Sequence, residues 1–151
     1  MKTQSHTTLV ENFPVPPEVL FDVLSDHEGM SDWIGARISV VSGPADGGVG
    51  TIRRIHGPAA IDEEVTYAVR PHRIVYRIVR GLTIVRFHRG EILIEPWGQT
   101  GSQLTWDIRM DSVIPGVAAG ICTLVGGELR KGFSRLRVLL DETHSSSSAA
   151  A

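Results

Sequence analysis

Few residues in this 151-residue chain have the type and setting to do chemistry, and they lie mostly where apolar and polar side chains alternate. His88 shares parity with Gly90, Ile92 and Ile94, so an unbroken strand points its ring to the apolar side. An imidazole there can act as acid, base or hydrogen-bond donor near neutral pH. Two other placements stay open: a hydrogen-bonded core histidine, or a ring turned outward by a bulge at Arg89-Gly90. Glu63 and Glu64 are adjacent, so their side chains oppose each other and form no carboxylate pair. Glu63 has the parity of Val65 and Tyr67. Inside a cavity its carboxyl would be desolvated as a general acid requires, but its place early in a strand favours a wet rim. Arg86 has the parity of His88 and is suited to meet an anionic group. Tyr76 and Trp106 also have inward parity and offer area plus one polar handle each, although core packing explains them equally well.

What is missing narrows the chemistry further. There is no GxxxxGK[ST] loop, HExxH, CxxC or GxSxG. The six histidines (6, 27, 56, 72, 88 and 144) show no ligand spacing on one helix, so neither a metal nor a cofactor is expected. The single Cys122 lies in the apolar stretch GICTLVGG and reads as a buried, inert thiol. Fifteen basic against seventeen acidic residues give a formal charge of -2, which argues against a nucleic-acid partner. The arginines at 70, 73, 77, 80, 86 and 89 fit a solvated sheet face. With neither a signal-peptide pattern nor a run of ~20 apolar residues, a cytoplasmic protein without a membrane span is expected.

The elements that must position these residues follow from period and punctuation. A first strand over Thr7–Phe13 is stopped by Pro14, Pro16 and Pro17. Pro17 then opens a short helix ending near Ser25-Asp26, and HEGMSDWIG forms a second short helix or turn. Strands are expected at 37–42, 51–56, 61–69, 73–80, 83–95 and 103–111. In the last, Leu104, Trp106, Ile108 and Met110 oppose polar neighbours, describing a sheet wetted on one side. From Pro115 to Leu140 the period becomes helical. Residues 1–142 are expected to form one domain, and 143–151, rich in Ser and Ala, a disordered tail.

The opening FPVPPEVLFDVLSDHEGMSDWIG, the strand VRPHRIVYRIVRG, the pair FHRGEILIEPWGQTGSQLTWDIRM and the helix ending RLRVLLD resemble the START-like, helix-grip (SRPBCC) superfamily, in its polyketide cyclase/dehydrase branch. The resemblance runs from about Thr7 to Leu140. It implies an α+β helix-grip fold: a seven-stranded antiparallel sheet curled around a long C-terminal helix, with two short helices after the first strand. It also implies a cavity between sheet and helix that takes a hydrophobic small molecule such as a polyketide, lipid or sterol. Trp33 would then close the mouth, and Tyr76, Arg86, His88, Trp106, Met110, Ile121 and Val125 would line the cavity. One alternative is a cofactor-free cyclase/dehydratase using an internal acid or base, with His88 and Glu63 as candidates. A ligand-free regulatory module is a third; monomer and homodimer both fit.

Overall fold

The computed structural model of the protein describes residues 3–149, with side chains placed through residue 143. Seven strands, β1 (Gln4–Phe13), β2 (Ile38–Ser42), β3 (Ile52–Ile55), β4 (Ile61–Val69), β5 (Arg73–Arg80), β6 (Val85–Trp97) and β7 (Gly101–Ser112), form one antiparallel sheet. Its order is β1-β7-β6-β5-β4-β3-β2. Between β1 and β2 lie α1 (Pro17–Ser25) and one turn of 3-10 helix (Gly29–Asp32). The long helix α2 (Val117–Ala149) lies across the concave face, chiefly on β1 and β7. This is the expected helix-grip architecture. Among the described residues no helix is long and apolar enough to cross a membrane.

Each face has a sequence cause. Pro17 fits the first turn of α1, where its missing N–H costs no hydrogen bond, and Leu20, Phe21 and Leu24 bury one stripe. Along α2 the buried residues Ala118, Cys122, Leu129, Phe133, Leu136 and Leu140 recur at helical spacing and meet inward β1 and β7 side chains such as Leu9, Phe13, Leu104, Trp106 and Ile108. Gly132 lets α2 approach the turn before β2. A Cβ there would stand 3.1 Å from the Trp33 carbonyl oxygen, which also accepts a hydrogen bond from Arg135 at 3.1 Å.

Two bulges redirect side chains that simple alternation had placed inward. The β6–β7 register shifts between Val85 and Phe87, turning Arg86 out to an ion pair with Asp111 at 3.0 Å. Arg86 therefore lies outside the buried core and borders only the cleft that runs to His88. A second shift, between Val65 and Tyr67, puts the Tyr67 ring on the surface under the Arg73 guanidinium, 5.0 Å away. Helix α2 passes the expected domain end at Glu142 and runs to Ala149, because no Gly or Pro follows Gly132 and Ala and Ser sustain a helix. Of the expected tail, Ala150 and Ala151 fall outside the described residues.

One close approach shapes the concave face. Gly90 pairs with Tyr76 across β5 and β6, and the Tyr76 ring lies on the Gly90 backbone, so a Cβ there would come within 2.0 Å of the ring. Gly90→Ala should therefore lower the unfolding free energy by about 2–3 kcal/mol in urea titration. Gly120→Ala, exposed on α2 with nothing near its would-be Cβ, should raise it by roughly 0.5–1 kcal/mol. Equal effects at the two positions would contradict the packing described.

Candidate functional site

The concave wall carries one polar cluster, built across β3, β4, β5 and the turn after α1. Arg53 on β3 pairs in register with Glu63 on β4. Only 2% of Arg53 is exposed, yet its guanidinium reaches the Glu63 carboxylate from Nε at 3.0 Å and from Nη2 at 2.8 Å. Nη1 donates to His27 Nδ1 at 3.0 Å and lies 3.3 Å from the Met30 sulfur. The guanidinium also sits over the Tyr76 ring, 4.6 Å from its centroid. A buried charge persists only when paired and hydrogen-bonded, and Arg53 is both.

The partners fix the state of each ring around it. His27 Nε2 lies 2.8 Å from the Gly47 carbonyl oxygen, which can only accept, while Nδ1 faces a group that can only donate. His27 is therefore the neutral Nε2–H tautomer. Burial, followed by the Arg53 charge, holds its pKa below the ordinary 6.5. His88 is also neutral by contact. Its Nδ1 accepts from the Ile78 backbone N–H at 3.1 Å, leaving Nε2 to carry the hydrogen, and burial lowers its pKa. The Tyr76 hydroxyl oxygen accepts from Trp106 Nε1–H at 2.7 Å. Burial and then the Glu63 charge push the phenol pKa up, so its proton stays on. Among the described residues no acceptor meets that proton, and the buried Trp33 indole N–H has no partner.

The apolar part is a ladder of rings. Tyr76 and His88 lie 5.6 Å apart, Tyr76 and Trp106 6.3 Å, Trp106 and Phe133 5.8 Å, and Phe133 and Trp33 6.5 Å. These rings occupy much of the space between sheet and α2. Larger hollows lie at the margins. One of about 980 Å³ borders Ser5, Phe87, Arg89, Met110 and Ala119. A smaller cleft of about 240 Å³ runs from Gly81 and Leu82 at the β5–β6 tip to Ile78 and His88.

Most sequence candidates gather on the concave side. His88 is half-buried there, not turned outward; Tyr76, Trp106, Trp33 and Met110 are buried, and Ile121 and Val125 lie half-buried against the core. Glu63 is not at a wet rim. It is buried, and its charge is committed to Arg53. Cys122 is buried, and burial pushes its thiol pKa up. Sequence reasoning missed Arg53 and His27. A signal existed for Arg53: Arg53-Arg54 and Asp62-Glu63 stand at mirrored distances about the Gly57-Pro58 turn, and both cross-strand pairs form. Nothing local marks His27, because its partners come from β3 and the β2–β3 loop.

The family model for "Polyketide cyclase / dehydrase and lipid transport" matches residues 4–141. Among solved structures the fold is similar to a START superfamily protein from Mycobacterium smegmatis, at 15% identity over 91% of this chain and 98% of that one, with a TM-score of 0.75. It is also similar to the major latex-like protein 151 of Panax ginseng, at 11% identity over 90% and 97%, TM-score 0.75. A third is the XoxI protein of Bacillus cereus, at 16% over 93% and 98%, TM-score 0.73. At these identities the likeness is one of fold. No curated protein sequence matches the chain.

The two neutral histidines set a pH dependence. Both have pKa values below 6.5 in the native state, so below that pH the unfolded chain binds more protons. Their contribution is intact above 6.5 and is lost as pH falls through the unfolded value toward the native ones. Urea midpoints should drop between about pH 7 and about pH 5, before the carboxylates titrate. His27→Gln, which keeps a donor and an acceptor but cannot titrate, should flatten that slope; an unchanged slope would contradict the assignment to His27.

Proposed function

The chain belongs to the polyketide cyclase/dehydrase and lipid-transport family, and from that premise we propose that it binds a hydrophobic small molecule between the sheet and α2. The observation that carries this is the unspent hydrogen-bonding capacity of the concave wall. The Tyr76 oxygen is already an acceptor, so what it has left to give is its proton; His88 has only Nε2–H left. The ligand this suits is apolar, with an oxygen acceptor such as a ketone, ester or phenol placed between the two rings. Ile121 and Val125 supply half-buried apolar surface from α2. Gly120, Gly126 and Gly127 weaken that half of the helix, where it must bend or shift as the ligand displaces the packed rings.

The same contacts favour binding over catalysis. The Nδ1 lone pair of His88 is engaged by Ile78 N–H and the Glu63 charge by Arg53, so neither is a ready base. A cyclase or dehydratase using these groups would have to break one contact first. The ring packing in the cup favours a second reading, a ligand-free interaction module.

Two probes of one shape separate these readings: 2-acetylnaphthalene and 2-ethylnaphthalene, titrated by the quenching of tryptophan fluorescence. The ketone should bind about tenfold tighter, the worth of one well-placed hydrogen bond, and Tyr76→Phe should remove the difference. Because Tyr76→Phe strips Trp106 of its acceptor, the folded fraction is checked by circular dichroism first. Binding of neither probe would favour the interaction module. Equal affinity for both would leave an apolar site but remove the donor role of Tyr76.

A further inference from the structure

The β5–β6 hairpin holds Arg73, Arg77, Arg80, Arg86 and Arg89 with no Asp or Glu between residues 73 and 89. Its tip is joined to the turn that enters α2, because Val113 N–H donates to the Ile84 carbonyl oxygen at 2.8 Å. From Ser112 to Gly127 that second segment carries no charged residue. Its apolar side chains nevertheless face water: Val113 is 51% exposed, Ile114 49% and Leu124 67%, and Phe87 on the adjoining strand is 51% exposed. The exposure is held in place. The buried Ser112 hydroxyl donates to the Ile114 carbonyl oxygen at 2.7 Å and accepts from Ala118 N–H at 3.2 Å. Gly116 closes the turn at a φ of +84°, which favours glycine.

Scattered surface apolar residues need no explanation, and this chain has others, but Val113 and Ile114 stand together beside the hairpin tip, with Leu124 about two turns into α2. Arg80 and Arg86 flank that end; Arg86 pairs with Asp111, and Arg80 stands opposite Asp62, whose carboxylate is held by Arg54. Further along the outer face Arg73 and Arg89 share Glu91. Arg77 pairs with Glu64 at 3.2 Å, so among the described residues the charge left without an ion-pair partner on the hairpin is that of Arg80, in a chain that is net acidic as a whole.

We infer that this end docks on an anionic lipid bilayer, with Ile114, Val113 and Leu124 entering the headgroup region and Arg80 and Arg86 meeting lipid phosphates. A basic rim around an apolar tip suits that interface. A nucleic-acid backbone would use the arginines but leave Ile114 and Leu124 in water. The cleft that opens at Gly81 and Leu82 and reaches His88 lies at the same end. If the cup takes a hydrophobic molecule as proposed above, it fills from the bilayer side; the docking itself does not rest on that reading.

The test is co-sedimentation of the full chain with vesicles of phosphatidylcholine containing about one-third phosphatidylglycerol, against phosphatidylcholine alone. The anionic vesicles should carry the protein down at low salt and release it as salt rises. Arg80→Ser and Arg86→Ser should each weaken partition about fivefold, and Ile114→Asp should weaken it at least as much. All three residues are exposed, so an unchanged urea midpoint verifies folding. Failure to bind anionic vesicles, or undiminished binding by Ile114→Asp, would overturn the inference. So would a dimer that Ile114→Asp dissociates, which makes a second copy the occupant, or tighter binding to duplex DNA than to vesicles. These outcomes need no cup ligand and are independent of the naphthalene titrations.

Discussion

A guanidinium shut away from water must find a counter-charge and acceptors within reach, and in this protein meeting that demand for Arg53 organises the concave wall. Glu63 supplies the charge from the neighbouring strand, His27 supplies a lone pair from the turn after α1, and Tyr76 lays its ring under the cation. Each commitment propagates. Accepting from Arg53 forces the His27 hydrogen onto Nε2, which ties down the Gly47 carbonyl and with it the β2–β3 loop. The place taken by the Tyr76 ring is possible only over Gly90, and it carries the hydroxyl to Trp106. Removing one partner of such a pair typically costs about 3–5 kcal/mol, more than most single contacts in a domain of this size contribute.

The architecture was legible because its elements are strongly patterned. The clean alternation of β7 placed Trp106 and Met110 inward, and β5 did the same for Tyr76; prolines and the change of period bounded the first strand and the last helix. Parity failed where the strand itself is irregular. A one-residue bulge reverses every following side chain, and neither the shift beside Arg86 nor that between Val65 and Tyr67 has a glycine or proline to announce it. The end of α2 follows a different rule. Loss of apolar residues after Leu140 removes a packing face, but it does not break a helix.

The candidate site was half legible. His88, Tyr76 and Trp106 followed from parity, whereas Arg53 needed the cross-strand register and His27 needed the tertiary fold. Glu63 shows how the missing partner changes a role. Alone on the concave face, its carboxyl has the makings of a general acid; beside Arg53 it is a counter-ion that lets a cation sit under a phenol. The wall that results carries two groups, the Tyr76 hydroxyl and His88, whose acceptor sites are engaged, beside a ladder of packed rings.

The three tryptophans offer the most direct test of that account, since each indole N–H gives its own nitrogen-proton NMR signal. Trp106 donates to Tyr76, Trp33 is buried without a partner, and Trp97 is exposed next to the β6–β7 turn. Adding 2-acetylnaphthalene should move the Trp33 and Trp106 indole signals and leave that of Trp97 in place. Binding that shifts Trp97 alone, or that leaves Trp33 and Trp106 unmoved, would show that the molecule sits elsewhere and would contradict a site on the concave wall.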